Sequence, residues 1–180
     1  MSVRCVALLR GINVGKAKRV AMADLRALME KLGYSDVKTL LNSGNVVFTV
    51  PGKVTEHIAS QIEKSIASRL GVETRVFVVS AYELNQMIQA NPLWKVADNP
   101  SRYLLAIVDA PGDMVKLKPL LKEDWGADAL AHGKRAAYLW CASGILESKL
   151  LSAFSKALKD GMTTRNWATI LKLQAMMETI

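Results

Sequence analysis

The chain is poor in the residues that support metal, redox and disulfide chemistry. Only 2 cysteines and 2 histidines occur among its 180 residues. Cys5 and Cys141 lie far apart, each inside an apolar, strand-like run, which favours reduced buried thiols over a disulfide or a metal ligand. His57 and His132 lie in polar surroundings and are predicted to be solvated surface residues. We therefore expect no metal site and no cofactor, and we find no recognisable catalytic motif.

Long hydrophobic runs and blocks of like charge are also missing. No apolar run approaches the roughly 18 to 20 residues that span a bilayer, and the apolar stretch in MSVRCVALLRG is too short for a secretory signal. We therefore predict a cytoplasmic protein without a membrane partner. No run of about five like charges occurs, which excludes a nucleic-acid-binding tail, so any basic surface must be assembled by folding.

The residues that are abundant indicate a folded, basic protein. Hydrophobic residues make up 51% of the chain, with only 5 prolines and 11 glycines, which is typical of a globular domain. The formal net charge of +8 favours anionic partners, either an anionic small molecule or a nucleic acid. A monomer or a weak homodimer is expected.

The first half of the chain shows the order strand, helix, strand, strand, helix, strand. Its predicted elements are Val3 to Leu9, Ala23 to Leu32, Val37 to Leu41, Val46 to Val50, Thr55 to Leu70, and the strand TRVFVV. Each helix shows apolar residues at helical spacing and is followed by a glycine that suits a left-handed cap. The segment Asn42-Ser43-Gly44-Asn45 joins the two middle strands as a hairpin turn.

The second half repeats this order less clearly, after a helical linker SAYELNQMIQANPLW. It is predicted to contain a strand at Tyr103 to Asp109, a helix at Asp113 to Lys122, a hairpin at Ala127 to Cys141 turning at Gly133 and Lys134, a helix at Glu147 to Leu158, and a last helix in TTRNWATILKLQAMMETI. The chain is thus an α/β (α+β) protein with two ferredoxin-like repeats, 1–80 and 81–180. Each is an antiparallel sheet with helices on one face, and the second repeat is degenerate and ends in a helix.

This topology brings two polar segments to one end of the first sheet. The first and second strands run in the same direction, so the loop after the first strand and the hairpin turn emerge together. The loop is glycine-containing and cationic, and glycines let backbone N–H groups approach an anion while Arg and Lys bind phosphate or carboxylate. The candidate ligand-binding residues here are Arg10, Gly11, Asn13, Gly15, Lys16, Lys18 and Arg19 of the loop and Asn42, Ser43 and Asn45 of the turn. The alternative is that the glycines only shape a loop and the cations face water.

Two known nucleotide-binding patterns are similar to parts of the first half and are rejected. GINVGKA has one residue too few between its glycines for a P-loop, and Ala17 occupies the position of the magnesium-binding Ser or Thr. An RNA-recognition motif has the same element order, but it needs aromatic residues on its two central strands, and only Phe48 is available.

The segment TTRNWATILK is the second candidate site. As a helix it would place Arg165, Thr169 and Lys172 on one face, with Thr163 or Thr164 as a cap and free N–H groups at its N-terminus. The alternative is that the Arg and Lys pair with carboxylates or extend past the core to water.

Four ordered motifs, RGINVGKAKRVAMADLRALMEKLGY, LNSGNVVF, NPLW and TTRNWATILKL, resemble the successive signatures of a bacterial family catalogued as domain of unknown function sixteen ninety-seven. The resemblance implies two ferredoxin-like repeats and brings no established activity, cofactor or substrate. It maps onto three groups of residues: Arg10, Gly11, Asn13 and Gly15 of the loop, Asn42, Ser43, Gly44 and Asn45 of the turn, and Arg165, Asn166, Trp167, Thr169 and Lys172. The chain departs from relatives at Lys16, where a second glycine is usual, and at Ala21, where proline is usual.

These patterns favour a binding module for a small phosphate-bearing ligand or a nucleic acid. An enzyme of unknown class, in which Arg10 and Arg165 orient an anionic substrate, is one alternative. A protein-interaction scaffold that uses a sheet face or edge is the other.

Overall fold

The computed structural model describes residues 1–178. The chain divides into two compact units, here called the first unit (Met1–Asn85 with the chain from Leu173 onward) and the second unit (Gln86–Lys172). The predicted division into repeats at residues 80 and 81 concerns element order and stays a prediction.

The first unit contains a four-stranded antiparallel sheet. Its elements are β1 (Ser2–Leu9), α1 (Met22–Lys31), β2 (Ser35–Leu40), β3 (Asn45–Pro51), α2 (His57–Leu70), β4 (Val76–Ser80) and the start of α3 (Ala81–Ala90). The strand order is β2-β3-β1-β4. Alternate residues of β1, including Cys5, Ala7 and Leu9, pack against buried residues of α1 and α2, because side chains of a strand alternate between its faces.

The second unit contains a sheet of the same kind. Its elements are β5 (Tyr103–Val108), two 3-10 helices (Pro111–Leu117 and Leu120–Lys122), β6 (Ala129–His132), β7 (Ala136–Trp140), α4 (Lys149–Leu158), a 3-10 helix (Lys159–Gly161) and β8 (Met162–Asn166). It also holds the start of α5 (Trp167–Glu178), whose residues from Leu173 onward belong to the first unit. The strand order is β6-β7-β5-β8 and all neighbours are antiparallel. The predicted fold class, two ferredoxin-like α+β repeats, is confirmed.

The strands of the two sheets pair in equivalent registers. The residue pair Leu9–Val76 of the first sheet corresponds to Val108–Met162 of the second, and Leu8–Asn45 corresponds to Ile107–Ala136. The last strands end in the same way, because Ser80 accepts a hydrogen bond from Glu83 N at the start of α3 and Asn166 accepts one from Thr169 N at the start of α5. The repeat inferred from element order therefore extends to individual backbone pairs, although no residue-by-residue identity marks it.

Two predictions for the second half need correction. The last helix begins at Trp167 and not at Thr163, because residues 162–166 pair with β5 as strand β8. Its cap is therefore Asn166, not Thr163 or Thr164, and its last two predicted residues, 179–180, lie outside the described part of the chain. The single helix predicted at Asp113 to Lys122 is instead two short 3-10 helices with Lys118 and Pro119 between them.

Candidate functional site

The two polar segments predicted to converge lie beside each other in the first unit. We name them the basic loop, residues 10–21 between β1 and α1, and the hairpin turn, residues 41–44 between β2 and β3. Leu9 N donates to Gly44 O at 2.8 Å, and Asn13 Nδ2 donates to Asn42 O at 2.7 Å. The basic loop and the hairpin turn thus form one surface at this end of the sheet.

Asn13 organises the basic loop. Its backbone N–H donates to Lys18 O at 3.0 Å, and its side-chain Oδ1 accepts from Val20 N at 2.9 Å. Its Nδ2 donates to Val20 O at 2.9 Å as well as to Asn42 O. The amide therefore joins both ends of the loop to the turn, so Asn13 positions the surface through its own hydrogen bonds.

Close packing at Gly44 fixes the distance between the loop and the turn. Its φ is 81°, and a Cβ atom there would lie 2.7 Å from Leu9 Cβ and 2.9 Å from Ile12 Cδ1. Ile12 is buried, so the loop is anchored in the core just before Asn13. Only glycine fits at this position, because any side chain would separate the turn from the strand.

Two further predicted residues, Asn45 at the start of β3 and Arg10 at the start of the basic loop, hold the shape of this surface. Asn45 is fully buried and its Nδ2 donates to Leu40 O at 2.8 Å and to Ser43 Oγ at 2.9 Å. Arg10 is half-buried, with its backbone N–H donating to Arg75 O at 2.9 Å and its carbonyl accepting from Thr74 Oγ1 at 2.8 Å. These residues belong to the frame of the site, whereas the side chain of Ser43 is on its exposed surface.

The remaining cations of the basic loop are exposed. Lys16, Lys18 and Arg19 all face solvent, and no carboxylate within residues 1–178 forms an ion pair with any of them. Gly11 and Gly15, at φ 67° and 60°, allow the loop to turn and have no atom that would contact an added Cβ. The loop therefore presents a group of exposed cations supported by the hydrogen bonds of Asn13.

A pocket of about 290 Å³ opens between the basic loop, the hairpin turn and the start of α1. It is lined by Asn13, Arg19, Val20, Ala21, Met22 and Asn42. Ala21 is the N-cap of α1, with φ −71° and ψ 135°, and no side chain caps the helix. The first-turn N–H groups of α1 thus lack a side-chain acceptor, and the helix dipole adds positive potential at this point.

At the corresponding end of the second unit, both connections are shorter than the basic loop and the hairpin turn. Asp109 and Ala110 alone join β5 to the following 3-10 helix, where residues 10–21 join β1 to α1. The hairpin of the second unit closes at Gly133 N to Ala136 O, 2.8 Å, around residues 134–135, where the first unit has 41–44. Since the same sheet register forms with short connections, the fold itself does not require the basic loop.

The TTRNW segment lies in the second unit and its residues have different surroundings. Arg165 is on β8, and its Nη1 donates to Thr163 Oγ1 at 3.0 Å and Thr164 O at 2.8 Å. Burial lowers the pKa of the Arg165 guanidinium to about 10. The predicted shared helical face of Arg165, Thr169 and Lys172 is wrong, because Arg165 belongs to a strand.

Trp167 and its neighbours are mainly structural. The Trp167 ring is buried and stacks on Tyr103, with centroids 4.7 Å apart, while Asn166 caps α5 and Lys172 is exposed. The hypothesis that Arg10 and Arg165 orient one substrate stays a hypothesis.

Sequence reasoning missed the part of the pocket made by Val20, Ala21 and Met22. The only signal was Ala21 itself, since an alanine before an amphipathic helix leaves the helix without a side-chain cap. Cys5 and Cys141 are free, buried thiols, as predicted, and burial raises the pKa of both. No group of three or more His, Cys, Asp or Glu side chains within residues 1–178 could hold a metal ion.

Comparison with known proteins agrees with this architecture. The chain is similar in structure to a conserved bacterial protein, SP0830, from Streptococcus pneumoniae, with a TM-score of 0.75 and 21% sequence identity over 98% of this chain and 99% of that one. At this identity the likeness shows the fold alone. No curated protein matches the chain. Among the helices of residues 1–178, none has the length and apolar character needed to cross a membrane. The family described as "Protein of unknown function (DUF1697)" matches residues 2–138, and the chain belongs to this family.

Proposed function

We propose that this protein is a binding module for a small, phosphate-bearing anion, held where the basic loop, the hairpin turn and the start of α1 meet. The observation that supports this most directly is the group of exposed, unpaired cations Lys16, Lys18 and Arg19 on a loop that the second unit does without. Three like charges in one short loop repel each other, and a bound anion would relieve that repulsion.

The pocket has the chemistry of a phosphate site. Arg19 and the amide of Asn42 line it, and the first N–H groups of α1 begin at its wall. Backbone N–H groups at a helix N-terminus bind phosphate oxygens, and the helix dipole favours negative charge there by roughly 0.3 to 1 kcal/mol. Asp24 in the first turn of α1 works in the opposite sense, so the loop cations are needed for net attraction.

The lining favours binding over catalysis. Its polar members are Asn13, Arg19 and Asn42, none of which is a general base at neutral pH. The Asn13 amide is already engaged with Val20 and Asn42, so Arg19 and Asn42 are the members that can contact a ligand. The exposed lysines on the loop also suit the phosphodiester of a nucleic acid, which is the second candidate partner. The two differ in salt dependence, since nucleic acid binding weakens steeply with salt.

The proposal is tested with inorganic phosphate and with the triple variant Lys16→Ala, Lys18→Ala and Arg19→Ala. We expect phosphate at ten times its dissociation constant to raise the thermal midpoint by roughly 3 to 6 °C, since a ligand stabilises the state that binds it. The triple variant should bind phosphate at least tenfold more weakly, by isothermal titration calorimetry. Sodium chloride of equal ionic strength serves as the control for general salt effects.

A second triple variant controls for net charge. Lys118, Lys122 and Lys134 are exposed lysines of the second unit, and their change to alanine removes the same number of charges. It should leave phosphate affinity unchanged. Equal loss of affinity in both variants, or no phosphate-specific shift in the wild type, would rule out a site on the basic loop. A steep salt slope with a short single-stranded oligonucleotide, lost only in the basic-loop variant, would instead favour nucleic acid.

A further inference from the structure

The pocket has both apolar and polar lining residues. Val20, Ala21 and Met22 are its apolar members, and Asn13, Arg19 and Asn42 are its polar ones. A site that held only inorganic phosphate would gain nothing from apolar walls, because the anion makes no favourable contact with them. The lining thus suits a ligand with an apolar part attached to its anionic group.

Two exposed apolar side chains flank the same place. Val14 follows Asn13 and is 71% exposed, and Leu41 precedes Asn42 and is 57% exposed. The side chain of Asn13 donates through Nδ2 to Asn42 O, and both residues line the pocket, so Val14 and Leu41 are the chain neighbours of two hydrogen-bonded lining residues. Single exposed apolar residues are ordinary, but here two of them are next in sequence to residues that line one pocket.

The conformation of Leu41 makes its exposure unusual. Its φ is 58°, a left-handed conformation that leucine rarely adopts and that asparagine or glycine would adopt at lower cost. Asn13 at 55° and Lys18 at 49° share this conformation, so three non-glycine residues of the basic loop and hairpin turn have it. For Leu41 the fold bears both backbone strain and an exposed side chain, and a contact with ligand would account for the choice of residue.

Building on the proposed phosphate site, we infer that its ligand is a phosphate ester with an apolar ester group, and that Val14 and Leu41 contact that group while Arg19 and the start of α1 hold the phosphate. A sugar phosphate, with hydroxyls on every carbon, would leave Val14 and Leu41 unmatched. The inference therefore distinguishes between two chemical classes of ligand for one site.

The test compares glycerol phosphate with hexyl phosphate, used below its micelle concentration, by isothermal titration calorimetry. We expect hexyl phosphate to bind about tenfold more tightly, which corresponds to burial of roughly two methylene groups. Leu41→Asn should reduce this ratio to about threefold or less while raising the thermal midpoint, because asparagine fits the left-handed backbone. Loss of selectivity together with a gain of stability cannot come from damage to the fold.

Leu146→Asn is the matched control, since Leu146 is 96% exposed and lies in the second unit. It should preserve the tenfold ratio, and hexanol should not compete with hexyl phosphate. Equal affinity for the two esters would overturn this inference but leave the phosphate site standing. If neither the esters nor inorganic phosphate bind, the proposed function itself fails. If hexyl phosphate binds more tightly in wild type and Leu41→Asn alike, the apolar contact lies elsewhere and the assignment to Leu41 is wrong.

Discussion

At the scale of single residues, Asn13 shows how one amide can replace a short element of secondary structure. The loop it closes has no helix or strand, and its side chain joins residues distant in sequence, Val20 and Asn42. Each hydrogen bond of this kind contributes on the order of 1 kcal/mol net to the free energy of unfolding. Its left-handed φ of 55° also suits asparagine better than most residues.

We therefore expect Asn13→Ala to lower the free energy of unfolding by about 2 to 3 kcal/mol, through lost hydrogen bonds and through strain at positive φ. Asn13→Gly removes the same hydrogen bonds but keeps a permissive backbone, so it should be about 1 kcal/mol less damaging than Asn13→Ala. Urea unfolding followed by circular dichroism measures both. A change below about 0.5 kcal/mol for Asn13→Ala would show that the loop does not depend on this amide.

The sequence could locate this surface, but it could not show which of its residues are free to contact a ligand and which hold the chain in place. Glycines and cations after an apolar strand predict a cationic loop, and the strand directions predict its meeting with the hairpin turn. Whether Asn13 or Asn45 binds a ligand or the chain itself depends on partners up to 29 residues away, which no local pattern reveals. Whether Lys16 and Lys18 form ion pairs likewise depends on where every carboxylate of the chain lies after folding.

At the scale of elements, the start of α1 is where stability and binding oppose each other. Ala21 has the extended backbone of an N-cap but no side-chain oxygen to accept the first-turn N–H groups. Asp at this position would fill that role and place a negative charge at the wall of the pocket. The same substitution should thus stabilise the helix and exclude an anion.

We expect Ala21→Asp to raise the free energy of unfolding by about 0.5 to 1 kcal/mol in phosphate-free buffer and to weaken phosphate binding by at least tenfold. Ala21→Ser caps the helix without adding charge, so it should give a similar stabilisation with a smaller loss of affinity. Thermal unfolding and calorimetric titration of the three proteins measure both quantities. Unchanged phosphate affinity in Ala21→Asp would place the anion away from α1.

The element that sequence patterns failed to predict is β8. MTTRN has no apolar alternation, and the following residues repeat at helical spacing, so local periodicity favours a helix through the whole segment. The strand forms because residues 162–166 pair with the free edge of β5, in the same register in which β4 pairs with β1. Long-range pairing of this kind overrides local preference, whereas the helices α1, α2 and α4 depend mainly on their own amphipathic spacing and were predicted.

At the scale of the whole molecule, the repeated architecture explains which features are structural and which are specialised. The strands of the two sheets pair in equivalent registers, and the last residue of each last strand caps the helix that follows it. The features common to both units therefore follow from the fold. The basic loop and the longer hairpin turn occur in the first unit only. The strand and helix pattern of each half could predict the common architecture. The loops of the two units can be compared only once equivalent strand residues are known, and the sequence alone does not give the strand pairing that defines them.

Both units also bury thiols and phenols, and their burial makes the protein less stable as the pH rises above about 9. Burial raises the pKa of Cys5 and of Tyr138, each to about 12, from ordinary values near 9 and 10. Burial raises the pKa of Tyr34, Tyr103 and Cys141 as well. Above pH 9 the unfolded chain loses protons that the folded chain keeps, so the free energy of unfolding must fall as pH rises.

We therefore expect stability to fall steadily from pH 8.5 to 11, with Cys5 alone accounting for about 3 kcal/mol by pH 11. Arg165 acts in the opposite sense above pH 10, because its lowered pKa lets the folded state lose a proton that the unfolded state holds, but it is one group against five. Urea unfolding at half-unit pH steps measures the slope. Cys5→Ala should make it shallower by up to about 1.4 kcal/mol per pH unit. A profile that stays flat to pH 11 would mean that these thiols and phenols reach solvent in the folded protein.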